Sequence, residues 1–242
     1  MNTLSKSLKD FFRLKFLLLS TFPFLVSFIV FGAFFLYSGN EFINFLNSNG
    51  GNFTDIDPDI HPIINYILTL AFVKWAVITF FYLFGTFLML LISVAIAVIV
   101  IGFFTPYIVK SIRDEYYPKY ITSEIGFTKV LWMYLKTATI FIFLIFVTIP
   151  LLIVPGVNLF IFNIPFYYLF HNILLIDVGS NIESYERFKE LTKKEKKSFV
   201  TVTLICYILS LIPILGLFLQ VFFVIYLTHF FFEKSIQNIQ RV

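Results

Sequence analysis

Arg13 and Lys15 stand two residues apart in "FFRLKF", at the foot of an apolar run that begins at residue 16. Two cations at the base of a helix suit a doubly charged tetrahedral anion, which is best held by backbone N–H groups at a helix N-terminus with Arg or Lys beside them. Two broken apolar segments offer a second place for such a ligand, at Gly156 in "VTIPLLIVPGVNLF" and Gly216 in "LSLIPILGLFLQ". Polar residues inside these segments are few, and Asn158, Asn163 and Gln220 are the candidates to line a pathway. Arg13 and Lys15 also have a plainer role as anchors against acidic lipid headgroups, worth about 1 kcal/mol each. The residues alone favour anchoring and leave anion recognition open.

His171 and His229 lie six and four residues before the acids Asp177 and Glu233. Proton coupling is one use for such histidines, and an interfacial hydrogen bond is the simpler one. The stretch "DIDPDIH" (55–61) offers carboxylates to a divalent cation but lacks the glycine and spacing of an EF-hand, so it reads as a solvated acidic loop. Asn52-Phe53-Thr54 fits a glycosylation sequon, which matters only in a secretory pathway. The single cysteine, Cys206, excludes a disulfide framework. H-E-x-x-H, P-loop, G-x-S-x-G and dinucleotide signatures are all missing. The expectation is therefore no catalytic residue, no metal and no cofactor.

The elements that carry these residues belong in a bilayer. Of 242 residues, 59% are hydrophobic and 13% charged, against roughly half and about a quarter in soluble domains. The net charge of +4 is distributed in a way that argues for orientation rather than nucleic acid. Sixteen of the 18 Lys and Arg fall in four segments: before residue 16, within 102–129, within 187–197, and in the last ten residues. Loop 39–61 has no Lys or Arg and carries Glu41, Asp55, Asp57 and Asp59. The positive-inside rule then places that loop outside and both termini in the cytoplasm.

Residues 4–15 form a short basic amphipathic helix on the inner surface, with Leu4, Leu8, Phe11 and Phe12 on one face. Residues 16–38 cross the membrane; the run is longer than a signal-peptide core and stays in place. The apolar stretch 62–109 is too long for one crossing, and the Lys74-Trp75 pair marks an interface, leaving 76–102 as the spanning core. Two hairpins follow, 127–176 and 198–232, broken at Pro150, Pro155 and Gly156 and at Pro213 and Gly216. Proline removes a backbone donor and ends the helix near it. The charge-free descents, 137–149 and 198–212, reach only about 20 and 22 Å at 1.5 Å per residue, short of a hydrocarbon core of about 30 Å. The hairpins therefore read as partly inserted, with four ordinary spans as the competing arrangement. Irregular backbone at that depth needs protein cover, which implies a homo-oligomer. At an offset of 58, Pro155, Leu159, Phe160, Tyr168, Leu169 and His171 align with Pro213, Leu217, Phe218, Tyr226, Leu227 and His229, as an internal repeat would.

Taken in order, "FRLKFLLLSTFPFLV", the helix end "GFFTPYIVKSIRDE" and the breaks "IPLLIVPG" and "IPILG" resemble the EI24/CysZ family over nearly the whole chain. The resemblance implies an all-α membrane protein of one domain, with two long transmembrane helices and two partly inserted hairpins. It also implies an oligomeric inner-membrane permease of a bacterial cell, taking up sulfate for cysteine synthesis. Arg13 and Lys15 match the basic positions of the family's sulfate-associated Gly-Leu-Arg-Arg-Phe-like turn, whose glycine is missing here. Pro106-Tyr107 matches its Pro-Phe element. Of a Tyr-Asp-Tyr-Pro-like motif, "HNILLIDVGS" keeps at most Asp177. The rival expectation is a scaffold that shapes the membrane without transporting anything. In that case the polar groups Asn158, Asn163 and Gln220 point to neighbours or lipid headgroups rather than to a water-filled axis.

Overall fold

The computed structural model describes residues 3–48, 71–150, 161, 163–212 and 215–240. Every regular element among them is helical: α1 (Thr3–Phe11), α2 (Leu14–Ser48), α3 (Ala71–Tyr116), α4 (Phe127–Thr148), α5 (Asn163–Gly179), α6 (Tyr185–Lys194), α7 (Lys196–Ser210) and α8 (Leu215–Gln240). The all-α membrane class expected from the sequence is the one observed. Among the described residues, Leu14–Asn44, Phe127–Thr148 and Phe218–Gln240 are long and apolar enough to cross a membrane. Pro155, Gly156, Asn158, Pro213, Asn52 and the acidic stretch 55–61 lie outside the described residues.

Helix ends follow local chemistry. The helix α2 runs ten residues beyond the expected limit at 38, through Gly39, where the Tyr82 hydroxyl would sit 3.0 Å from any added Cβ. A glycine there keeps the ring seated, so the position works for packing rather than as a stop. The helix α3 ends at Tyr116, one residue before the Tyr117-Pro118 step, because the residue preceding proline is pushed out of the helical region. The helix α4 closes in a short 3₁₀ turn at Ile149 and Pro150, as proline at the break requires. Its full 22 residues reach about 33 Å, enough for a hydrocarbon core because the helix begins before Lys129 and Lys136. The 15 residues of α7 reach about 22 Å and fall short.

The chain divides into two compact units. One covers 22–97 and consists of most of α2 and the first part of α3. Gly32 meets Met89, Phe35 stacks on Phe81 at 5.7 Å, and Phe42 stacks on Phe81 at 4.3 Å. Partners descend in α3 as they ascend in α2, so the two helices are antiparallel. The ring of Phe35 lies over Gly85, where an added Cβ would fall 1.9 Å from it. Aromatic pairs of this kind add about 0.5–1.5 kcal/mol beyond the area they bury.

The other unit comprises 1–21 and 98–242. Its centre is α8, whose Val221, Phe223, Ile225, Leu227, Phe231 and Phe232 are buried under α1, α5, α6 and α7. The helix α4 packs on α5 through the edge-to-face pair Phe141–Phe166. Its opposite face is open, with Trp132, Phe143 and Phe146 all more than 60% exposed. In water such a face is an aggregation liability, whereas in a bilayer it contacts its solvent.

The amphipathic helix α1 turns its polar face inward. Ser7, Asp10 and Phe11 are buried, while Leu4, Leu8 and Phe12 are exposed. A soluble helix does the reverse. Leu4, Leu8 and Phe12 are therefore free for lipid, but Phe11, expected on the same face, is buried edge-to-face against Phe222 of α8, to which the polar side is also committed.

Candidate functional site

The residues at the foot of α2 meet the end of α3 and the last turns of α8 in one polar cluster. The chain turns at Phe12 and Arg13 between α1 and α2, held by Arg13 N–H to the Asp10 carbonyl at 3.0 Å and Phe16 N–H to the Arg13 carbonyl at 3.0 Å. That corner aims Arg13 and Lys15 at two residues one helical turn apart on α3. The Arg13 fork binds Glu115 through both guanidinium nitrogens, with Nη2–Oε1 at 2.6 Å. The Lys15 ammonium donates to the Ser111 hydroxyl at 2.6 Å. The same Arg13 reaches Asp10 at 3.1 Å and the Tyr116 oxygen at 3.2 Å.

Asp10 is the hub. Its side chain is 1% exposed, and its carboxylate accepts from the Tyr116 hydroxyl at 2.8 Å and pairs with His229 Nε2 at 2.8 Å. The other ring nitrogen of His229 meets the Tyr117 hydroxyl at 3.2 Å. A neutral imidazole satisfies both contacts in one tautomer, with Nε2–H donating to Asp10 and Nδ1 accepting from Tyr117. An isolated buried carboxylate is costly unless paired and hydrogen-bonded, and Asp10 has three partners. Around the hub, Glu233 takes Thr3 at 2.6 Å and Lys6 at 3.1 Å. Ser20 donates to the Phe218 carbonyl at 2.6 Å. These bonds fasten α1 and the start of α2 to α8.

Protonation follows from this placement. The Arg13 fork holds the Glu115 carboxyl below its usual range, and Glu115 in turn holds Arg13 charged. Burial, then the hydrogen bond to Asp10, pushes the Tyr116 phenol up to about 12. Arg13 and Glu115 are therefore both charged and Tyr116 neutral at neutral pH. The two carboxylates that Arg13 touches differ: Asp10 is sealed, whereas the Glu115 side chain is 43% exposed. Glu115 and Ser111, the partners of Arg13 and Lys15, also line an open cleft of about 490 Å³ with Tyr107, Lys110 and Asp114.

The family model described as sulfate transporter CysZ/etoposide-induced protein 2.4 matches residues 3–220. The chain belongs to the EI24 family. In this EI24 member the match runs from α1 into α8 and takes in the whole cluster except His229 and Glu233. No curated protein and no solved structure matches the chain significantly. The family description is that of a membrane transporter of sulfate.

Other sequence candidates fall elsewhere. Asn163 accepts at 2.9 Å from the Tyr207 hydroxyl, tying the start of α5 to α7. Gln220 is half-buried on α8. At Gly216 an added Cβ would lie 2.4 Å from the Ser210 carbonyl oxygen and 2.9 Å from its Cα. The chain folds so tightly there that only glycine leaves room. His171 bonds the Thr203 hydroxyl at 2.7 Å, beside Tyr167, whose own hydroxyl donates to the Val200 carbonyl at 3.0 Å. The two histidines play alike parts: His171 grips α7 and His229 grips α1, each an element beyond its own hairpin. Asp177 accepts from Tyr134 across α5 and α4.

Sequence reasoning missed Asp10, Glu115, Tyr116 and Tyr117 as members of the cluster. One signal was present. Asp10 is the only acid among four basic residues in the first 15, and "RDEYYPKY" places acids and phenols together at the end of a long apolar helix.

Proposed function

We propose that this EI24 protein is an inner-membrane permease for a small tetrahedral oxyanion, with sulfate uptake for cysteine synthesis as its role. The observation that carries the reading is the meeting of Arg13 and Lys15 with the cleft-lining residues Glu115 and Ser111 in a chain matched by a sulfate-transporter family model. Glu115 occupies the place of the anion at rest. Sulfate displaces this exposed carboxylate from the Arg13 fork, whose bidentate geometry suits a planar pair of oxygens on either ligand. Asp10 stays in place because His229 and Tyr116 hold it, and it keeps the guanidinium aimed at the cleft.

In this reading the protein is multi-pass, with both termini in the cytoplasm, and copies associate so that the short hairpin of α7 and α8 is covered. The exposed Ile205 and Ile208 on α7 suit such a contact. A membrane-shaping scaffold is the second reading, and the Asn163–Tyr207 bond favours it, since a polar group there serves a neighbour rather than a pathway. Radiolabelled sulfate uptake into proteoliposomes separates them. Permeation requires saturable uptake that falls in Arg13→Ala/Lys15→Ala; no uptake above empty liposomes from folded, inserted protein leaves the scaffold.

A further inference from the structure

A second basic region lies apart from the Arg13 cluster, where α4, α5, α6 and α7 enclose a pocket of about 410 Å³. Lys136 enters it from α4, Lys189 and Lys193 from α6, and Lys196 from α7, and no carboxylate lines it. Four lysines lining one cavity gather positive charge that an anion would offset. Among the described residues, none of the ion pairs uses these four. Lys189 has instead the face of Tyr185, 5.0 Å from the ring centre. All four lysines are exposed and reachable. The size falls within the range of small-ligand sites, about 300–1,000 Å³.

The walls say what accompanies the charge. Trp132 and Lys136 are one turn apart on α4, and Trp132 is 66% exposed. An indole beside an ammonium marks the headgroup level of a bilayer. Beyond Lys136 the same helix exposes Ile142, Phe143 and Phe146, a face for hydrocarbon. Within the pocket, Met133 and Ile140 add apolar wall and the buried Thr137 a hydroxyl. A free inorganic anion makes no use of that apolar lining. A molecule with an anionic head and acyl chains uses all of it. We propose that this pocket binds the phosphate of an anionic phospholipid, seated by Lys136, Lys193 and Lys196 with its chains along α4. The inference stands independently of transport.

Native mass spectrometry of the full chain, titrated with phosphatidylglycerol or phosphatidylcholine of the same acyl chains, tests it. Phosphatidylglycerol is retained at least tenfold more tightly. Lys136→Gln/Lys193→Gln/Lys196→Gln weakens it about a hundredfold, about fivefold per lysine, which corresponds to about 1 kcal/mol each. Lys9→Gln/Lys119→Gln, outside the pocket, leaves retention unchanged. Hydrogen exchange on the unaltered protein needs no variant: phosphatidylglycerol slows exchange across 185–200, and phosphatidylcholine does not. Equal retention of the two lipids, full retention by the triple variant, or equal protection by inorganic phosphate alone overturns the proposal.

Discussion

Replacing Asp10 by alanine is the sharpest perturbation of the cluster. The carboxylate is 1% exposed and receives His229, Tyr116 and Arg13. Its removal leaves the His229 Nε2–H facing a void, and each buried donor left unpaired costs about 1–3 kcal/mol. The Tyr116 hydroxyl loses its acceptor as well, so the two unpaired groups together cost about 3–5 kcal/mol. For a chain of this size each 1 kcal/mol moves Tm by roughly 2–4 °C, so the expected fall is roughly 6–20 °C. The protein carries its own probe, since Cys206 is its single cysteine and is buried. Reaction of that thiol with a fluorogenic maleimide during heating reports unfolding of the α8 unit in detergent. Asp10→Asn is milder, because the imidazole can switch tautomer, accept from the new amide and donate to Tyr117. The Asp10→Ala/His229→Ala double variant falls well short of the sum of the singles, because the pair acts as a unit. An Asp10→Ala transition within about 2 °C of the parent, or strict additivity in the cycle, refutes the reasoning.

Other outcomes follow from the same geometry. Gly216→Ala drives a Cβ into the Ser210 backbone and costs about 1–3 kcal/mol, read as earlier Cys206 labelling. Gly102→Ala meets nothing within 4 Å in mid-helix and stabilises by up to about 1 kcal/mol. The Glu115 carboxyl is held below its usual 4.5 by Arg13, so its contribution is fully present above pH 4.5 and lost as pH falls through the lower folded value. The difference in thermal transition between the parent and Glu115→Gln therefore closes in acid and is unchanged between pH 6 and 8.

Much of the fold was legible because membrane helices are written in composition. The long apolar runs and the break at Pro150 rest on local rules. The amphipathic α1 was legible for the same reason, since Leu4 and Leu8 share a face. What that helix does with its other face was not. Asp10 meets a histidine 219 residues away, and no periodicity encodes that distance. The repeat drew attention to His171 and His229 as a pair, and an interfacial hydrogen bond was the simpler expectation for each. Their partners, Thr203 and Asp10, came only with tertiary packing. Arg13 and Lys15 were legible as cations at the base of a span, but their carboxylate and hydroxyl partners sit about 100 residues later on α3. The run of α2 past 38 was not legible, because Gly39 takes its role as a seat for Tyr82 only in the fold.

The exchange of Glu115 for sulfate is tested most directly by concentration-dependent sulfate uptake into proteoliposomes, comparing Glu115→Gln with Arg13→Ala. The two variants are expected to move in opposite directions. Freeing the Arg13 fork from a partly exposed partner worth about 0.5–1 kcal/mol lowers the half-saturating sulfate concentration about two- to fivefold, and Arg13→Ala raises it or abolishes uptake. If both variants lose uptake, or neither changes it, Arg13 and Glu115 hold the α1–α2 corner in place and the anion passes elsewhere.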